Sequence, residues 1–156
     1  MKSQAPTLAA TRTRIKICGL TREQDVDAAV AAGVDAVGFV LYAQSPRHVT
    51  PERAAELARR LPPLVTPVLL FVNAAATEIE AAAAMLAPAI LQFHGDETPP
   101  ACTAAAQRAH CPFWRAARIP ADAASGFDLL KFAHDYSAAQ ALLLDAQVDG
   151  YGGGGK

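Results

Sequence analysis

Four polar residues in this 156-residue chain each follow directly on a short apolar run. Cys18 comes after Arg-Ile-Lys-Ile, Asn73 after Leu-Leu-Phe-Val, His94 after Leu-Gln-Phe and Asp145 after Leu-Leu-Leu. A cysteine is ordinarily a small buried apolar residue. Cys18, however, stands beside Gly19 and ahead of a helix start, where the helix dipole favours thiolate, and Lys16 adds a positive charge on the same strand face. Cys102 and Cys111 lack that setting and read as structural. Asp145 is either a turn former closing its strand or a carboxyl at catalytic depth. Arg47, in the loop from Tyr42 to Val49, is either a solvated surface cation or a planar fork for a carboxylate or phosphate. Gln92 and His94 alternate onto one face, and a histidine so placed is more often a hydrogen-bonded support than a catalyst.

The elements that would position these groups follow from periodicity. Strand-like runs at residues 14–18, 36–41 and 66–72 alternate with helical segments, and residues 89–93, 112–117 and 141–144 continue the series. In the first run Lys16 and Cys18 share one face, and Ile15 and Ile17 share the other, which would meet a helix layer. Thr21 with Gln24 reads as a capping box for the first helix, whose apolar stripe is Val26, Ala29, Val30 and Gly33, with Gly33 as its stop. Thr50 with Pro51 opens the second helix, which buries Ala54, Leu57, Ala58 and Leu61 before Pro62. Thr77 with Glu80 reads as a second capping box, ahead of Ile79, Ala82, Ala83 and Leu86. Residues 97–109 and 125–134 give the remaining helices.

Apolar strands joined by helices must lie in a covered parallel sheet, either doubly wound or a (βα)8 barrel. No G-x-G-x-x-G follows the first strand, which favours the barrel. The expected organisation is a loose tail over residues 1–13 and one barrel-type domain over residues 14–156.

The 14 basic and 15 acidic residues nearly cancel and neither sign forms a run. No electrostatic footprint for nucleic acid or an anionic membrane results, and a small soluble partner is expected instead. Three cysteines without metal-ligand spacing fit a reducing cytoplasm rather than a disulfide scaffold. The alanine-rich stretch 73–93 is broken by Glu78, Glu80 and Pro88, so it reads as a helix and then a strand, not a membrane span. The tail Gly150-Tyr-Gly-Gly-Gly-Gly155-Lys156 formally matches part of a P-loop, but lacks its Ser/Thr and the first-strand position.

In order and spacing, Lys16-Ile-Cys-Gly-Leu-Thr21, Asp35-Ala-Val-Gly-Phe-Val40, Ser45-Pro-Arg-His-Val49, Phe71-Val-Asn73, Gln92-Phe-His-Gly95 and Leu143-Leu-Asp145 before Gly152-Gly-Gly-Gly-Lys156 resemble the phosphoribosylanthranilate isomerase family. The resemblance runs from Arg14 to Lys156. It implies a (βα)8 fold, of which about six units lie here, and an Amadori rearrangement of N-(5-phosphoribosyl)anthranilate without metal or coenzyme. It also implies that Cys18 is the general base, Asp145 the general acid and Arg47 the grip on the anthranilate carboxylate. Lys16, Asn73, Gln92, His94, Gly153 and Gly154 would line the substrate site, and no partner protein would be required. Family members continue into two further βα units that bind the substrate phosphate, so strands one and six are expected as open edges. Two rivals remain at this level: a related barrel acting on another ribose phosphate, and a non-catalytic binding or assembly module.

Overall fold

The computed structural model describes residues 12–122 and 125–147. Six parallel strands pair in chain order: β1 (Lys16–Cys18), β2 (Ala36–Val40), β3 (Thr66–Phe71), β4 (Ile90–Phe93), β5 (Phe113–Ile119) and β6 (Ala141–Ala146). Between them lie α1 (Glu23–Ala31), α2 (Pro51–Ala58), α3 (Ala76–Leu86), α4 (Pro99–Ala109) and α5 (Leu129–Asp135).

Each strand divides its side chains by the period of two. Val37 and Phe39, Leu69 and Phe71, Leu91 and Phe93, and Phe113 face outward into a buried layer with Val26, Leu57, Ile79 and Cys102 from the helices. Phe93 and Phe113 meet edge to face at 5.6 Å, an arrangement that adds to their area burial. The opposite set, with Lys16, Cys18, Val40, Leu70 and Gln92, faces a concave interior. Residues of β1 and β6 line the same hollow, so the sheet curls until its two ends face one another. This is the curvature of a parallel βα barrel.

Several local expectations shift by a few residues. Strand one shortens to Lys16–Cys18 because the Ile15 amide is taken by the Asp35 carboxylate at 2.8 Å. The same carboxylate holds Arg12, a residue the sequence assigns to the loose tail, and Arg14. Together these donors keep it well below the usual carboxylate range, with the Arg12 hydrogen bond the largest cause. Helix α1 is not capped by Thr21; Arg22 takes the cap position without a side-chain cap and binds Asp25 through Nε at 2.7 Å. Gly33 does end it, at φ +82, a region only glycine enters freely.

Thr50 caps α2 as expected, its side chain accepting from the Arg53 amide at 3.2 Å. Its helix stops at Ala58, leaving Leu61 half-buried beyond it. Thr77 and Glu80 do not cap α3. Ala75 precedes it and Glu78 accepts from the Ala75 amide at 3.1 Å, while Glu80 pairs with Arg108 of α4. Helix α4 starts after Thr98, whose hydroxyl caps Ala101, so Glu97 lies outside it. Helix α5 starts at Leu129 because Asp128 accepts from the Lys131 amide at 2.9 Å. Strand six runs on to Ala146, which places Asp145 within the strand opposite Arg118 rather than after it.

Strands β1 and β6 each have one neighbour among the described residues. Ile15 and Ile17, expected under a helix layer, are 46% and 37% exposed. Neither joins the layer that α1–α4 build over β2–β5. The stretch 73–93 resolves into α3 and β4, and no described helix is long and apolar enough to cross a membrane.

Candidate active site

A cavity of 230 Å³ opens at the C-terminal ends of the strands, lined by Lys16, Cys18, Ser45, Arg47, Gln92, His94 and Asp145 together with apolar residues. A second hollow of 550 Å³ lies beneath it against Ile90, Trp114 and Leu142, and Lys16 and Leu143 line both. Six of the sequence-derived site residues thus converge. Gly153 and Gly154 fall outside the described residues.

Cys18 ends β1 and pairs in register with Gly38 of β2. A Cβ at Gly38 would lie 2.6 Å from the Cys18 sulfur and 3.1 Å from Lys16 Nζ. Thiol and ammonium therefore both rest on the bare face of Gly38, a residue that sequence reasoning quoted only within a motif. Its register opposite Cys18 was the missing signal.

Arg47 is delivered by the loop after β2. Val49 returns its amide to the Val40 carbonyl at 2.9 Å, and the Arg47 amide binds the Ser45 hydroxyl at 3.2 Å. The guanidinium then lies across Gly19, where a Cβ would meet Nη1 at 2.6 Å, and donates to the Cys18 carbonyl at 2.9 Å. Gly19 has φ +85, so its conformation and its missing side chain serve the same contact. Neither Lys16 nor Arg47 has an ion-pair partner among the described residues, whereas a single carboxylate, Asp145, lines the cavity. The site carries surplus positive charge.

Asp145 is 30% exposed in its side chain, His94 only 12%, and they are joined at 2.9 Å between Oδ2 and Nε2. Burial lowers the His94 pKa from its ordinary value; the Asp145 contact opposes this without overcoming it. Burial pushes the Cys102 thiol up to about 12, which suits its structural placement within α4.

Asn73 does not line the cavity. At φ 52, its side chain accepts from the Asp96 amide at 2.8 Å, and its own amide donates to Glu97 at 2.7 Å. It shapes the loop after β4 instead. The anchor of that loop, which sequence reasoning missed, is a buried pair. Glu97 also accepts from the Gly95 amide at 2.9 Å and lies 3.7 Å from Arg115, the two side chains being 7% and 5% exposed. Arg115 donates to the Phe93 and Gly95 carbonyls at 3.0 and 2.9 Å and lies 4.9 Å from the Tyr136 ring centre, a cation–π distance. Arginine in mid-strand among apolar neighbours was the available signal. Arg115→Met should strand the Glu97 charge and destabilise the fold by ~3 to 5 kcal/mol. Urea denaturation checks this, and a loss below about 1 kcal/mol would remove the pair from its anchoring role.

Parallel strands curled in chain order, helices on the convex side and polar groups gathered at strand C-termini define a βα-barrel protein with its site in the usual place for that architecture. Known proteins narrow the class. The sequence model described as N-(5'phosphoribosyl)anthranilate (PRA) isomerase matches residues 15–156, and the chain belongs to that family. An N-(5'-phosphoribosyl)anthranilate isomerase of Methylibium petroleiphilum is 66% identical over 145 residues, covering 93% of this chain and 64% of that protein. The Thermotoga maritima phosphoribosyl anthranilate isomerase structure superposes with a TM-score of 0.78 at 33% identity, over 92% of this chain and 66% of that one. A further isomerase structure, in complex with reduced 1-(o-carboxyphenylamino)-1-deoxyribulose 5-phosphate, gives 0.74 at 32% identity over 87% and 66%. The chain thus spans 64% of the length of the Methylibium relative.

Proposed function

We propose that this chain carries the proton-transfer centre of an isomerase converting N-(5-phosphoribosyl)anthranilate to 1-(2-carboxyphenylamino)-1-deoxyribulose 5-phosphate. The observation that carries this reading is the meeting of Cys18, Arg47 and Asp145 around one cationic cavity. An aldose-to-ketose shift needs one group to take a proton and one to give it, with no net redox change. Cys18 removes the proton from C2 of the ribose, and Asp145 protonates the ring oxygen as the furanose opens. Arg47 holds the anthranilate carboxylate. Lys16 supplies a second positive charge to a substrate bearing both carboxylate and phosphate. This chemistry calls on no metal, coenzyme, nucleic acid, membrane or partner protein. A reducing cytoplasm keeps the Cys18 thiol free.

The test is loss of substrate fluorescence, measured for this chain alone and for the chain completed with the part of the Methylibium isomerase that the match leaves uncovered. Turnover by the completed protein supports the reading, and its absence overturns it. The chain alone should be slower, because phosphate binding energy helps position the reacting carbon. In the completed protein, Arg47→Met should raise KM by about 10-fold or more, as a charge-assisted contact is worth ~1.5 to 3 kcal/mol. An unchanged KM would move the carboxylate site elsewhere.

A further inference from the structure

A hydrogen-bonded chain crosses the cavity from β4 to β6. Gln92 Nε2 lies 3.2 Å from His94 Nδ1, and His94 Nε2 lies 2.9 Å from Asp145 Oδ2. An amide nitrogen carries donors only, so Nδ1 must accept and must be bare. The neutral ring then carries its proton on Nε2, aimed at a carboxylate oxygen. Imidazolium would set Nδ1–H against the amide N–H, and the other neutral tautomer would also turn the Nε2 lone pair toward the carboxylate. With the amide nitrogen toward the ring one protonation state satisfies both contacts, whereas the reversed amide would set Oε1 on Nδ1 and call for Nδ1–H.

Burial favours the neutral ring most, and Arg115 and Arg118 of β5 act in the same sense, while the Asp145 contact acts against them without overcoming burial. Lys16 of β1, Arg47 of the loop after β2 and Cys18 line the same cavity. Gln92 is 3% exposed, and its side-chain oxygen has no hydrogen-bond partner among the described residues. The amide is turned to the ring at the expense of its own acceptor.

We propose that Gln92 holds His94 as the neutral Nε2–H imidazole, which makes His94 a fixed donor to Oδ2 of Asp145 and leaves Oδ1 to carry the proton exchanged with substrate. The final clause rests on the isomerase reading; the tautomer does not. His94 is a positioning residue, acting through Asp145. It does not compete for the proton, because its second nitrogen has no acceptor to give one to.

The experiment is nitrogen NMR of the chain carrying ¹⁵N-labelled histidine at pH 7, with His94→Asn assigning the signal. The expected spectrum shows Nε2 protonated and Nδ1 bare, whereas imidazolium or the Nδ1–H tautomer overturns the proposal. Gln92→Glu puts an acceptor at Nδ1 and should turn His94 into imidazolium at the same pH. Gln92→Met, which keeps the volume without buried charge, should give a tautomer mixture and serves if the glutamate variant does not fold. A His94 signal unchanged in the folded variants overturns the role of Gln92. In the completed isomerase, Gln92→Glu should lower kcat at least about tenfold with little change in KM, because imidazolium would hold Asp145 as the carboxylate. An unaltered kcat overturns the positioning role. Failure of the parent protein to turn over counts against the isomerase reading alone and leaves the tautomer result standing.

Discussion

Cys18→Ala in the completed isomerase is expected to abolish nearly all turnover while leaving substrate affinity close to that of the parent. The substitution removes a proton acceptor and little binding surface. The Cys18 carbonyl that receives Arg47 is backbone and survives it. General base catalysis typically contributes about 10² to 10⁴ in rate, so kcat should fall by that order with KM nearly constant. Cys18→Ser is the sharper control, since a hydroxyl of similar size cannot reach the thiolate-like state at neutral pH. Near-normal turnover in either variant would reject Cys18 as the base.

The second large effect is expected at a residue with no chemistry of its own. Gly38→Ala would set a methyl group 2.6 Å from the Cys18 sulfur and 3.1 Å from both the Cys18 Cα and Lys16 Nζ. The lysine tip can swing aside. The Cys18 backbone cannot, because it is hydrogen-bonded into the sheet and the Gly19 amide donates to the Gly38 carbonyl at 2.8 Å. The thiol must then rotate away from the cavity or β1 must shift. A displacement of roughly 1 Å at a reacting group costs about 10²-fold in rate, and overpacking costs ~1 to 3 kcal/mol in stability. Steady-state kinetics and urea melts on the same samples separate the two contributions. Full activity together with an unchanged melt would show that the space over Gly38 is not needed.

Much of the fold is legible in the sequence because its outward-facing residues are apolar at every second strand position and at every third or fourth helix position. The stripe Ile79, Ala82, Ala83 and Leu86 is buried as its spacing requires, and Thr50 with Pro51 opens α2 by local chemistry alone. Helix starts at Arg22 and Ala75 escape the same rules. Their first turns are held by Asp25 and Glu78 reaching back, and the glutamate expected in one cap, Glu80, is drawn to α4. Both starts rest on local i,i+3 pairs that the capping pattern does not read, and the cap expected at Thr77 loses its glutamate to a neighbouring helix.

Arg47 stands out in the sequence because its loop offers a planar cation, and Cys18, His94 and Asp145 because polar residues after apolar runs are conspicuous. Asn73 stands out for the same reason yet serves the loop. Only the three-dimensional path of the chain after β4 separates the two cases. Gly38 is silent in sequence because its importance lies in what approaches it from β1, and mid-strand Arg115 is conspicuous while its buried partner Glu97 is not.

Along β4, Leu91 and Phe93 are immersed in the layer beneath the helices, while Gln92 and the following His94 look into the cavity. Adjacent codons therefore answer to different selective demands. A mutation at one position is judged by whether the protein survives in the cell, and a mutation at the next by which molecule it converts. Layer-facing changes along such a strand bear first on the fold, and cavity-facing ones reach the chemistry as well.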